Sequence, residues 1–255
     1  MSNRLTDLFA QSDRFKLSLF FTAGYPRLVD TERILTALEE GGVDFVEIGF
    51  PFSDPMADGP VIQNSSQQAI ANGMALKVLF GQLKGIRDRI RIPLVLMGYL
   101  NPVLQFGMQQ FIANCVTCGV DGLILPDLPV EVYVDQYKAQ FEAAGLAFIP
   151  LITPQTSPER IRFLDTHGSG FIYLVSGPGT TGGDKCLEQE AAYFERVKAM
   201  PLRLPKVAGF GVRTKSDIEL LRQYVDGAII GSAFVRHLEA GWSNASVAHF
   251  VAALK

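Results

Sequence analysis

The chain has 255 residues, of which 48% are apolar and 19% charged, with a net charge of −3. This is a globular composition with length for a large core, and its mild acidity, without a Lys/Arg block, excludes a polyanion held by long-range charge. Apolar runs are too short to span a bilayer, and the opening MSNRLTD has no signal-like apolar stretch, so the expected location is cytoplasmic.

In chain order, residues 3–11 have the pattern of a helix preceding the first strand. Eight β-rich runs follow, at 16–22, 45–48, 93–97, 119–125, 147–152, 170–174, 205–208 and 227–230. Between them lie helical patterns, with Ile34, Leu35 and Leu38 on one face of 31–40 and Leu79, Leu83 and Ile86 on one face of 76–86. Segments 108–118, 129–144, 157–166, 187–200, 214–223 and 244–254 repeat the pattern. Ser157-Pro158-Glu159 and Thr214-Lys215-Ser216-Asp217 supply helix starts, and Gly41, Gly119 and Gly145 supply stops.

Eight strand–helix alternations without a linker point to parallel strands wrapped by helices. The runs are apolar throughout, as when both faces are covered. An open doubly wound sheet is the structural rival, but the first strand ends in Phe21-Thr22-Ala23-Gly24 with no GxGxxG. The expected architecture is therefore α/β, a single (β/α)8 TIM barrel over 1–255. An extra N-terminal helix plugs one end, and extra short helices follow strands 2 and 8.

Loops after strands gather at the active face of such a barrel. The second connection carries PFSDPMADGP at 51–60 and an added helix at 61–72. The sixth, SGPGTTGG at 176–183, is a Gly/Thr run suited to a lid. Two Gly-rich turns close the chain: Gly209-Phe210-Gly211 after strand seven and Gly231-Ser232-Ala233 after strand eight. Glycine admits a close anion, and a helix start offers free N–H groups, so the pair reads as a phosphate cradle.

Glu47 lies within an apolar strand, where Phe45, Glu47 and Gly49 share one direction. A carboxylate stripped of water there has a raised pKa, useful for proton transfer near neutrality. Asp58 can fold back over the same strand end as its partner, with a turn role before Gly59 as the alternative; for Asp54, before Pro55, the turn role is the stronger reading. Tyr173 either lends a hydroxyl to the site or fills core. Lys16 and Lys206 sit at strand beginnings and Lys185 in the lid segment, which argues against a Schiff-base lysine. Cys115-Val116-Thr117-Cys118 falls late in a helix and reads as buried, inert thiols. His167, His237 and His249 lack metal-ligand spacing, so neither metal nor cofactor is expected.

The segment GFPFSDPMADGP at 49–60, with FFTAGYP at 20–26, MGYLNP at 97–102 and DGLILPDLP at 121–129, resembles the tryptophan synthase alpha family over the whole chain. The resemblance implies a lyase of tryptophan biosynthesis, cleaving indole-3-glycerol phosphate to indole and glyceraldehyde 3-phosphate. It also implies channelling of indole to a pyridoxal-phosphate-containing beta subunit in an α2β2 assembly. Glu47 matches the general acid/base and Asp58 the carboxylate that accepts the indole N–H. Phe20, Tyr99 and Tyr173 match the indole pocket. Gly182, Phe210, Gly211, Gly231 and Ser232 match the phosphate cradle. Thr181 matches the lid position that bonds the Asp, and Asp54 a position facing the partner. The lid here lacks an Arg that many members carry.

Overall fold

A computed structural model of the chain describes residues 3–11, 14–176 and 187–255. Nine parallel strands form one sheet: β1 Lys16–Thr22, β2 Phe45–Gly49, β3 Leu94–Met97, β4 Gly122–Ile124, β5 Ala147–Phe148, β6 Leu151–Ile152, β7 Ile172–Val175, β8 Lys206–Gly209 and β9 Gly227–Ile230. Their order is β5-β4-β3-β2-β1-β9-β8-β7-β6. The two ends of that order are pieces of one stretch. β5 pairs with β4, β6 pairs with β7, and only Ile149 and Pro150 lie between them. The ring thus closes through the chain itself.

The fifth run, expected as one strand, is split at Pro150, which has no N–H to give a ladder. The Ile149 N–H still reaches back to Leu123 O (3.0 Å), while Pro150 O accepts from Tyr173 N (2.9 Å) on the other side. The other runs shift by a residue or two at their ends. β1 and β2 are buried at every position, lumen face and helix face alike.

The helix Arg4–Ala10 caps the N-terminal mouth. Asn3 and Thr6 form a reciprocal capping box, and Asn3 Nδ2 donates to Asp121 O and Gly145 O (both 2.8 Å). Phe9 from this helix packs on Phe45 and Phe171 at ring separations of 6.1 and 5.9 Å. The additional helices are in place: Pro60–Ala71 precedes Leu76–Leu83 after β2, and Ser232–Glu239 precedes Asn244–Leu254 after β9, the eighth stave. Among the described residues no helix is long and apolar enough to cross a membrane.

Candidate active site

Glu47 enters from β2, flanked in register by Phe20 of β1 and Val95 of β3. Phe45, two residues earlier on the same face, touches the plug through Phe9, so this face is the lumen. Gly49, two residues later, must stay bare: a Cβ there would lie 2.5 Å from Phe20 Cζ. Glu47 is 1% exposed, and its Oε2 has no hydrogen-bond partner. Burial, and secondarily the charge of Asp58, push its carboxyl up to about 8.

Asp58 is brought over this end by the loop between β2 and Pro60–Ala71. Its N–H donates to Pro55 O (3.0 Å), and Gln63 Nε2 donates to its carbonyl (2.8 Å), so it is a turn residue as well. Its half-buried carboxylate is raised to about 6 by burial, against the hydrogen bond from Tyr99. Tyr99, at the end of the segment after β3, donates to Asp58 Oδ2 (3.3 Å) and accepts the Ala57 N–H (3.0 Å). One phenol thus holds two consecutive loop residues.

Tyr173 of β7 is 3% exposed and leans over the neighbouring strand β8. A Cβ on Gly209 would lie 2.0 Å from its hydroxyl. Burial, then Glu47 and Asp58, hold this phenol far above its ordinary pKa, so it stays a neutral donor. Phe210 (φ +61°) and Gly211 (φ +88°) follow, both left-handed. For a bulky residue that is a strained conformation, kept where neighbours over-determine it. Here Ser176 Oγ lies within bonding reach of the carbonyl oxygens of Gly209 (2.8 Å) and Phe210. Successive N–H groups in such a turn form an anion-binding concavity. Gly231 begins the helix Ser232–Glu239, whose first-turn N–H groups lack intrahelical acceptors.

Glu47, Asp58, Phe20 and Tyr173 share one cavity with Phe210, Gly211, Gly231 and Ser232, enclosing about 510 Å³ of empty space including its mouth. Apolar walls with a few convergent polar groups are the usual make-up of a small-molecule site. Tyr99 lines an adjoining hollow instead, one that shares Phe20 and Asp58 with the first. Asp54 lines neither; it is exposed on the loop and accepts from Ser53 Oγ. Thr181 and Gly182 lie outside the described residues. Sequence reasoning missed the apolar walls Ile62, Met97, Val212 and Ile229, and also Arg213. Only Arg213 had a signal, its place directly after the Gly209-Phe210-Gly211-Val212 turn.

Neither Lys16 nor Lys206 lines the cavity. Cys115 and Cys118 are buried free thiols, raised above the ordinary thiol pKa by burial. Among the described residues no cluster of His, Cys, Asp or Glu has a metal-holding arrangement.

Residues 8–254 match the family model for the tryptophan synthase alpha chain. The alpha chain of Flavobacterium johnsoniae is 51% identical over 94% of this chain and 95% of its own length. That of Christiangramia forsetii is 52% identical over 96% of each. Among solved structures, tryptophan synthase subunit alpha of Legionella pneumophila superposes with a TM-score of 0.86 at 32% identity, covering 100% of this chain and 97% of its own. A structure of Mycobacterium tuberculosis tryptophan synthase gives 0.89 at 32% identity, with the same coverages.

Proposed function

The chain belongs to the tryptophan synthase alpha family, and from that premise we propose that Glu47 and Asp58 together carry its chemistry. The family reaction is the cleavage of indole-3-glycerol phosphate to indole and glyceraldehyde 3-phosphate, with indole passed to the beta subunit for tryptophan synthesis. Between about pH 6 and pH 8 Asp58 is ionised and Glu47 holds its proton. Glu47 gives that proton to indole C3, which turns the ring into an electron sink. Asp58 accepts the indole N–H and stabilises the resulting cation. The Glu47 carboxylate then takes the proton of the C3′ hydroxyl. As the aldehyde forms, the C3–C3′ electron pair returns to the ring and Glu47 is protonated again. Phe20 and Tyr173 bound the indole end, with Tyr99 supporting Asp58. Phe210, Gly211, Gly231 and Ser232 receive the phosphate through backbone N–H groups, and Thr181 and Gly182 complete the lid.

Asp54, exposed at the loop surface, is assigned to the contact with the beta subunit in an α2β2 assembly. The chain acts as one domain over 1–255, in the cytoplasm, where its doubly charged substrate is retained because such an ion does not cross a bilayer unaided.

The observation that carries this reading is the sealed Glu47 carboxyl, unpartnered at Oε2, facing the cavity that Asp58 also lines. The test is indole release from indole-3-glycerol phosphate, with and without beta subunit. Glu47→Gln should lower release at least ~100-fold, the usual worth of a positioned acid/base. Near-normal release from this variant would sink the assignment.

A further inference from the structure

We propose that Arg213 is a phosphate-binding residue, a cation that selects the phosphomonoester dianion at the cradle end of the cavity. The inference builds on the site reading above and adds a side chain to a cradle otherwise made of backbone. Arg213 lies two residues beyond Gly211, and both of them line the cavity with Val212, so the chain runs along its rim. Its Cα is fixed there: the Arg213 N–H donates to Asp217 Oδ2 (2.8 Å), the same oxygen that takes the Thr214 N–H (2.8 Å) in a capping box. Arg213 is a half-buried residue of the cavity wall.

The charge of the loaded site supplies the reason. Asp58 lines the cavity as a carboxylate, Glu47 beside it stays neutral, and a phosphate ester adds a charge of about −1.5 to −2 near neutrality. Turn and helix-start N–H groups offer only partial charge, roughly half a unit for a helix end. Arg213 is the one Lys or Arg among the described residues lining this cavity. A guanidinium presents paired N–H donors that match two phosphate oxygens, and it stays protonated throughout the working range.

The test uses the chain assembled with its beta subunit. Steady-state indole release gives KM for indole-3-glycerol phosphate, and inorganic phosphate as competitive inhibitor gives Ki. Arg213→Gln should raise both KM and Ki about 10- to 100-fold, the scale of a hydrogen bond between charged groups, with the loss falling on KM rather than kcat. Arg213→Lys should recover part of the affinity, because it restores the charge without the fork. If Arg213→Gln does not fold by circular dichroism, the Lys variant decides alone, through a rise of at least ~3-fold in both constants. KM and Ki within twofold of the parent overturn the proposal, and so does a fall in kcat with Ki unchanged. Glu47→Gln separates this from the acid/base reading: it should abolish release while phosphate binding, followed by calorimetry, persists.

Discussion

A carboxyl group sealed beneath Phe20 and facing Asp58 costs the fold something whenever it ionises. Glu47 titrates near 8 in the folded chain, against an ordinary value of 4.5. Between these values the folded state keeps a proton that the unfolded state has released, so stability falls as pH rises from about 5 to about 8. Below about 4.5 both states are protonated and the penalty vanishes. Glu47→Gln removes the ionisation. Its unfolding free energy from urea titration should match the parent's at about pH 4 and exceed it at about pH 8.5 by several kcal/mol, at about 1.36 kcal/mol per pKa unit; equal values at both pH values would contradict the buried, unpaired state. Tyr99 acts on the other acid. Its hydrogen bond is what opposes burial at Asp58, so Tyr99→Phe should move the acid limb of the kcat/KM profile to higher pH. The substrate phosphate titrates near pH 6 as well. It is common to both enzymes, so the displacement between the two profiles belongs to Asp58, and superimposable limbs would remove Tyr99 from this role.

At the scale of the elements, the sequence speaks clearly where a strand's burial is continuous and falls silent where distant segments meet. The run 45–48 marks β2, and its alternation leaves Glu47 only two directions; the contact of Phe45 with Phe9 chooses between them. The single run 147–152 conceals a break, because neighbouring strands and not composition decide where Ile149 and Pro150 find partners. The helix pattern at 129–144 likewise hides a wide turn at Tyr133–Tyr137, which sets the Tyr133 ring flat on Phe148 at 3.9 Å. The helix Leu100–Phe106 is only seven residues long, too short for an apolar period to show in the sequence. The support of Asp58 by Tyr99 joins positions 41 residues apart, a spacing no local pattern encodes. Gly209 shows the same limit: read as a cradle glycine, it is also the gap that admits Tyr173. Gly209→Ala places a Cβ 2.0 Å from the Tyr173 hydroxyl, so ring or backbone has to move. A stability loss of about 1–3 kcal/mol should accompany a fall in kcat/KM of at least ~10-fold, from a displaced Tyr173 or a disturbed cradle. Parent-like kinetics would show that neither position matters.

The molecule as a whole divides its labour between the two ends of the barrel. The proposed reacting groups collect where the strands end, while the opposite end is held by a polar knot around Asp121. This carboxylate is 1% exposed and accepts from Leu94 N (2.9 Å), Arg4 Nη1 (2.8 Å) and Arg87 Nη2 (2.5 Å). The backbone of Asp121 bonds to Leu94 O (2.8 Å), Ala147 N (3.0 Å) and Asn3 Nδ2 (2.8 Å). One residue therefore ties the N-terminal helix to β3, the start of β4 and β5. Arg87 is largely enclosed, with a side-chain exposure of 17%, and burial alone would push its guanidinium pKa down; Asp121 opposes that. Removing one partner of such a pair leaves an uncompensated charge, at a cost of about 3–5 kcal/mol. Asp121→Ala should accordingly lower Tm by about 10 °C, at the 2–4 °C per kcal/mol expected for a chain of this size. Because the knot lies at the far mouth, KM for indole-3-glycerol phosphate in the folded variant should stay within twofold of the parent. A Tm within 2 °C of the parent would mean that the helix plug, not the ion cluster, secures this end. A large change in KM with Tm intact would mean that the two ends communicate through the strands.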